Sequence, residues 1–414
     1  MTIKAHKIYI PVFLLIVFFQ LYVPSFRLNM MIQFIILLGM FLLDDKILTR
    51  GIVTKITPLL LIFGLGIFTA IFHEFKLIHF IKDITHFLKP ILGLILGYFI
   101  FKKMEFSLFV KVIVLSGFSS ALLHFYLIFV FGNLSSETIN DIRNSFGKDN
   151  FLELFSLLFA LFYGKFQQEP LFKSKVLKNG IVVVLIISNM LYFSRTMVIV
   201  CAVALLSIYG FTKINAKTLS LFLVSIALIA VFYAYLFSIK LDRNAAGVES
   251  FLYKVKIAPS EVFSTKINRE NHKDLWDHWR GYEVKRAFAL MNQSKSSYVI
   301  GTGFGSVIDL KFKAPLDLKA IRYISETHNG YMYIFYKTGI VGLLLLLYFL
   351  KKLHSYVYRE YTFTNQFIGL TGMVFFFTTL TITGIYNPKD VIIIILGGLI
   401  AVSHNNNVTI RDVK

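Results

Sequence analysis

Apolar residues along this chain come in runs long enough to cross a lipid bilayer, separated by short polar stretches. The runs cover about 8–23, 28–43, 56–73, 87–101, 106–132, 150–164, 179–194, 196–211, 217–239, 329–350, 366–385 and 389–403, twelve in all. A bilayer core of about 30 Å takes roughly 20 apolar helical residues, because a helix satisfies its own backbone polar groups where no water is present. The pattern therefore predicts an all-α, polytopic integral membrane protein with about twelve transmembrane helices. One long segment, 240–328, is unspanned. It divides the chain into a first block of about nine helices (1–239), a large polar insert (240–328) and three C-terminal helices (329–414). Inside the insert, Asp274 to Gln293 has helical periodicity, with Leu275, Trp276, Trp279, Val284, Ala287 and Leu290 on one stripe and Arg280, Glu283, Lys285 and Arg286 on its flanks. Trp276 and Trp279 are the only tryptophans, and an amphipathic helix carrying them is expected to lie at headgroup level. No repeat at a fixed period and no inverted copy of one half in the other is visible.

Composition removes the soluble classes: 56% of the residues are hydrophobic and 16% charged, with a mean hydropathy of +0.69. The net charge of +20 invites a nucleic-acid reading, but its distribution follows a membrane rule instead. With the N-terminus inside, the inner loops and termini carry eighteen Lys and Arg, whereas the short outer loops and their borders carry eight: Arg27, Lys76, Lys82, Lys89, Arg143, Lys148, Arg195 and Lys389. Both termini are then expected in the cytoplasm, with the insert on the outer side. The first apolar run lacks a small-residue cleavage site, so it reads as a retained helix. Cys201 is the lone cysteine and lies within a run, which leaves no disulfide.

Candidate chemistry gathers where the insert meets the tenth run. His328 stands at the outer mouth of that run, and an imidazole with an ordinary pKa near ~6.5 is the side chain best suited to take a proton near neutrality. Ser325-Glu326-Thr327 before it has the composition of a helix-capping run, which would make His328 a first-turn residue. Arg195, in Ser194-Arg195-Thr196, sits between two runs with almost no loop. It serves as a snorkelling anchor or, together with Arg280, as a bidentate ligand for phosphate oxygens at the membrane border. Gly301-Thr302-Gly303-Phe304-Gly305 reads as a tight turn rather than a nucleotide loop, since no βαβ unit can surround it. Tyr331, Tyr333 and Tyr336 are expected to form an interfacial belt in preference to a sugar-stacking wall. No His/Cys cluster with zinc spacing occurs, and the first outer loop, Pro24-Ser25-Phe26-Arg27, carries no carboxylate. Asp44-Asp45 falls on the inner side, so no metal and no cofactor are expected at the outer face.

The stretch from Thr327 through Gly342 contains His328-Asn329, nine residues, Gly339, two residues and Gly342. It resembles the hallmark of the O-antigen ligase and polymerase family. Ser194-Arg195-Thr196 resembles that family's arginine at a span end, and Arg280 to Gly305 resembles its loop arginine, amphipathic helix and Gly-x-Gly turn. Val284 stands where the family often has tryptophan, and no proline precedes the glycine turn. The loop arginine accordingly falls on Arg280 or Arg286. The resemblance implies a C-type membrane glycosyltransferase-like fold in the bacterial inner membrane. It also implies an undecaprenyl-diphosphate-linked glycan as donor, and transfer to an acceptor hydroxyl of lipid A core (a ligase) or of another glycan (a polymerase). It assigns His328 as catalytic base and Arg195 with Arg280 or Arg286 as diphosphate ligands, with Asn329, Gly339 and Gly342 shaping the motif. The expected reaction is inverting and metal-independent. Partners besides the two substrates are membrane lipids, with no nucleic acid. A flippase or transporter for lipid-linked sugars is the reading from another class. It would draw on Lys111, Glu153 and Lys337, each near enough to a span end to snorkel.

Overall fold

The computed structural model describes residues 6–43, 50–132, 149–242, 248–263, 275, 278–314 and 320–411. Asp44, Asp45, Arg143, Lys148, Asp274 and Trp276 lie outside them. The helices in chain order are α1 (His6–Tyr22), α2 (Phe26–Leu43), α3 (Arg50–Ala70), α4 (Leu77–Phe101), α5 (Phe106–Phe131), α6 (Phe151–Phe166), α7 (Lys175–Leu191), α8 (Arg195–Ile208), α9 (Ala216–Ser238), α10 (Val248–Phe263), α11 (Trp279–Met291), the single turn α12 (Ser297–Ile300), α13 (Gly330–His354), α14 (Phe363–Thr381) and α15 (Ile392–Arg411). Each of the twelve apolar runs coincides with one of these helices. Among the described residues, six helices (α3, α4, α5, α9, α13 and α14) are long and apolar enough to cross a membrane. Shorter apolar helices occupy α1, α2, α8 and the first part of α15. The protein is an all-α polytopic membrane protein.

Burial sorts the helices into a centre and a rim. The apolar windows of α4 and α14 are 78% and 72% buried against protein, whereas that of α9 is only 6% buried. The side chains of α9 are therefore left for lipid, which is as apolar as they are. At the centre α4 and α15 lie close enough to need small residues. A Cβ on Gly97 would stand 1.9 Å from the Ile394 carbonyl oxygen, and one on Gly93 2.6 Å from the Ile393 side chain. That spacing of four places both glycines on one face of α4.

Two charged side chains inside the bundle, Lys337 and Glu153, are paired, not snorkelling. Lys337, with no exposed surface, makes an ion pair with the buried Asp83 of α4 and donates to the Ser306 carbonyl at 2.6 Å; Asp83 also accepts from the Gly305 backbone N–H at 2.7 Å. This ties α4, α13 and the insert together, and removing one partner would strand a buried charge at a cost of about 3–5 kcal/mol. Glu153 is likewise fully buried in α6 and accepts hydrogen bonds from Ser120, Asn150, Ser188 and Tyr192 at 2.6–2.8 Å. Neither side chain snorkels, although Glu153 lies in the first turn of α6: hydroxyls and an amide satisfy Glu153 and a counter-ion satisfies Lys337 inside the protein.

The insert departs from expectation in one respect. Between α12 and α13 it forms an antiparallel hairpin, β1 (Ile308–Ala314) with β2 (Ile321–Ile324), pairing Ile308 with Ile324 and Asp309 with Tyr323. Ile308, Leu310 and Ala314 of β1 are buried while Lys311 and Lys313 are exposed, the period-two pattern of a half-covered strand. Helix α11 packs on this strand. Trp279, expected at the headgroups, is 5% exposed in a small core with Leu275, Tyr282, Leu310 and Ala314. The strand offers the indole an apolar face, and Glu283 accepts its N–H, so both halves of an amphipathic ring are satisfied inside protein. The tyrosine belt is corrected similarly: Tyr333 and Tyr336 are buried in the main core, with the Tyr336 hydroxyl donating to the Ser325 carbonyl.

Candidate active site at the mouth of α13

The His328 motif is built around a broken helix. Asn329 is the N-cap of α13, its side chain accepting from the Met332 N–H at 3.0 Å, so the cap falls four residues beyond the Ser325 expected to begin it. His328 precedes the cap and stands outside the helix. Ten residues after Asn329, Gly339 has φ 64° and ψ −167°, a backbone region open essentially only to glycine. The carbonyls of Tyr336 and Lys337 just before it accept from the N–H groups of Thr302 and Gly303 at 2.8 and 3.0 Å. The Gly301–Gly305 turn therefore docks on the kink and does not cradle a nucleotide. A Cβ on Gly339 would meet the Val299 carbonyl oxygen at 2.2 Å, and one on Gly342 the Thr338 hydroxyl at 1.8 Å. Gly339→Ala is expected to destabilise the protein by at least the ~1–3 kcal/mol of backbone strain, read as a lowered Tm and reduced yield of folded protein in detergent. An unchanged Tm would show that the kink is not enforced by this contact.

The imidazole of His328 is half exposed, at 52% of its side-chain surface, and its Nδ1 lies 2.9 Å from Oε1 of Glu283. Glu283 is 1% exposed. It is fixed on both oxygens: Oε1 accepts from Trp279 Nε1 at 2.8 Å and Oε2 from the His328 backbone N–H at 2.9 Å. An ionised carboxylate accepts only, so the neutral ring carries its proton on Nδ1 and leaves the Nε2 lone pair for substrate. The hydrogen bond that His328 donates to Glu283, together with the carboxylate's charge, raises the His328 pKa above the ordinary histidine value, against burial and the nearby Arg280, which lower it. An oriented imidazole made more basic by a fixed carboxylate is the arrangement of a general base. Sequence reasoning placed Glu283 only on the flank of α11. Its spacing from Trp279, one helical turn along a buried face, was the available signal.

His328 opens on a cleft of about 660 Å³. Its walls come from the start of α2 (Arg27), the first turns of α4 (His79, Lys82), the hairpin and its exit (Tyr323, Glu326) and the α14–α15 connection (Thr383, Asn387). Glu326 lies 3.4 Å from His86 Nδ1, and burial pushes its carboxyl pKa up. A second polar cleft of about 700 Å³, lined by His73, Lys76, Gln293, Ser294 and Thr302 among others, shares His79 and Tyr323 with the first.

The three arginines separate. Arg280, half-buried on the same helix as Glu283, is close enough to act electrostatically on the His328 ring. Arg286 donates through Nε to the Asp309 carbonyl at 2.7 Å and so fastens α11 to β1. Arg195 is half-buried at the first position of α8, where Ser194 is the N-cap and bonds Asp149, and it lies within electrostatic reach of Tyr233 on α9. It is not among the residues lining the two clefts. None of the three arginines is among the residues lining the two clefts, and Arg280 is the one within electrostatic reach of His328.

Residues 180–347 match the family model described as O-antigen ligase, the family that the His328 motif resembles. The match runs from α7 into α13, about two-fifths of the chain, and takes in Arg195, the insert, His328 and Gly342. No curated protein and no solved structure shows a significant match to the chain.

Proposed function

We propose that this protein transfers a glycan from undecaprenyl diphosphate to an acceptor hydroxyl at the outer face of the bacterial inner membrane, as an O-antigen ligase acting on lipid A core. The O-antigen ligase match supports ligase- or polymerase-type glycan transfer. The observation that carries the mechanism is the His328–Glu283 pair opening on a cleft beside basic side chains. His328 Nε2 takes the proton of the acceptor hydroxyl as its oxygen attacks the anomeric carbon. The bond from that carbon to the diphosphate oxygen breaks, and its electron pair leaves with the diphosphate. Positive groups near the cleft, Arg280 among them, stabilise the charge that grows on the leaving group. One displacement inverts the anomeric configuration, and a product with retained configuration would end this mechanism.

The acceptor is tested in cells. In a strain lacking the gene, a ligase predicts polymerised glycan that accumulates unattached to lipid A core. A core bearing a single repeat unit would instead establish the polymerase, the second member of the same reaction class. Unchanged glycans together with impaired movement of lipid-linked sugar across the membrane would move the protein to the transporter class.

A further inference from the structure

A second set of cations, from other elements of the fold, lines the same cleft as His328. Arg27 from the first turn of α2 and Lys82 from the second turn of α4 both line the His328 cleft, and both also line an adjoining cavity of about 440 Å³. That cavity is completed by Ser25, Phe26, Thr85 and His86. The two cations are exposed and come from elements 55 positions apart (82 − 27), so the fold, not local sequence, brings them to one wall. Both carboxylates on the cleft already have partners. Glu283 is held by Trp279 and His328, and Glu326 sits beside His86 with its pKa raised by burial. Arg27 and Lys82 thus bring two cationic side chains to the cleft on which His328 opens, with Lys82 within electrostatic reach of Glu326. Below Arg27, the exposed side chains Leu28, Met31, Ile35, Leu38 and Leu42 follow one another at spacings of three and four, which forms an apolar stripe down one face of α2.

We propose that Arg27 and Lys82 form the binding site for the diphosphate of a prenyl-linked substrate, with the prenyl chain lying along the α2 stripe and the sugar directed toward His328. A guanidinium and an ammonium on separate helices can each engage one phosphate of a diphosphate, and a ligand with a long apolar tail meets both the charge and the stripe in one pose. This inference rests on the transferase reading for the identity of the ligand, but its test does not require turnover. Full-length protein in detergent is titrated with farnesyl diphosphate and with inorganic pyrophosphate. Wild type is expected to bind farnesyl diphosphate at least tenfold tighter than pyrophosphate. Arg27→Gln combined with Lys82→Gln is expected to weaken both probes by at least tenfold while leaving Tm unchanged, and Lys82→Arg to retain binding.

Binding that the double variant leaves intact would overturn the site. Equal affinity for the two probes would overturn its assignment to a lipid-linked diphosphate. If wild type transfers glycan and the double variant keeps the donor KM of wild type, the site is likewise wrong while the transferase reading stands. If wild type binds as expected but transfers nothing, the site stands and the transferase reading falls.

Discussion

His328→Ala should abolish glycan transfer while leaving the protein inserted and folded. Proton transfer by a positioned base contributes about 10²–10⁴-fold, and the acceptor hydroxyl of the proposed reaction has negligible acidity of its own at neutral pH, so the loss should reach or exceed the upper end. The side chain is half exposed and precedes the N-cap, which Asn329 supplies, so its removal should leave α13 intact. The measurement is the amount of core-linked glycan in a deletion strain complemented with the variant, alongside its level in the membrane and its Tm after purification. Wild-type transfer at equal protein level would remove His328 from the reaction. Loss of the protein from the membrane would place the histidine in folding instead.

Much of the architecture was legible from hydropathy alone, because a bilayer leaves helices as the way for these segments to satisfy their backbone. All twelve apolar runs fall on helices. The hairpin was harder to see. Its longer strand, Ile308–Ala314, has only seven residues, and its apolar alternation is confined to that length between helices. Missing the strand also misplaced Trp279, which looked like a headgroup anchor only while no apolar sheet face was available to cover it. His328 was legible because its motif has fixed spacing. Glu283 was not, since its meeting with His328 joins positions 45 residues apart through the packing of α11 against the start of α13. The same limit applies to the cations: Arg27 and Lys82 counted in the sequence as ordinary outer-loop charges, and only the convergence of α2 and α4 brings them to the cleft that His328 also lines.

On the proposed mechanism Glu283 sets the acid–base character of His328, and Glu283→Gln tests this separately from the histidine. The carboxylate raises the pKa of His328, and the ring works as a base only when unprotonated. Transfer by wild type should therefore rise with pH through a midpoint above the ordinary ~6.5 of histidine. Glutamine keeps the size of the side chain but loses the charge, so the midpoint should move to lower pH. The rate on the plateau should fall as well. The glutamine amide can donate to Nδ1, which favours the tautomer with its proton on Nε2 and blocks the atom that must accept; loss of that orientation costs about 10²–10⁴-fold in comparable dyads. The two effects have opposite signs at low pH, where the variant retains more of its own maximum than wild type does of its own. A purely structural role for Glu283, through its bond to Trp279, would lower Tm and leave the midpoint where it was. Trp279→Phe supplies that comparison, removing the indole donor while keeping the carboxylate against the imidazole. A midpoint that is the same in wild type, Glu283→Gln and Trp279→Phe would show that Glu283 does not tune the base.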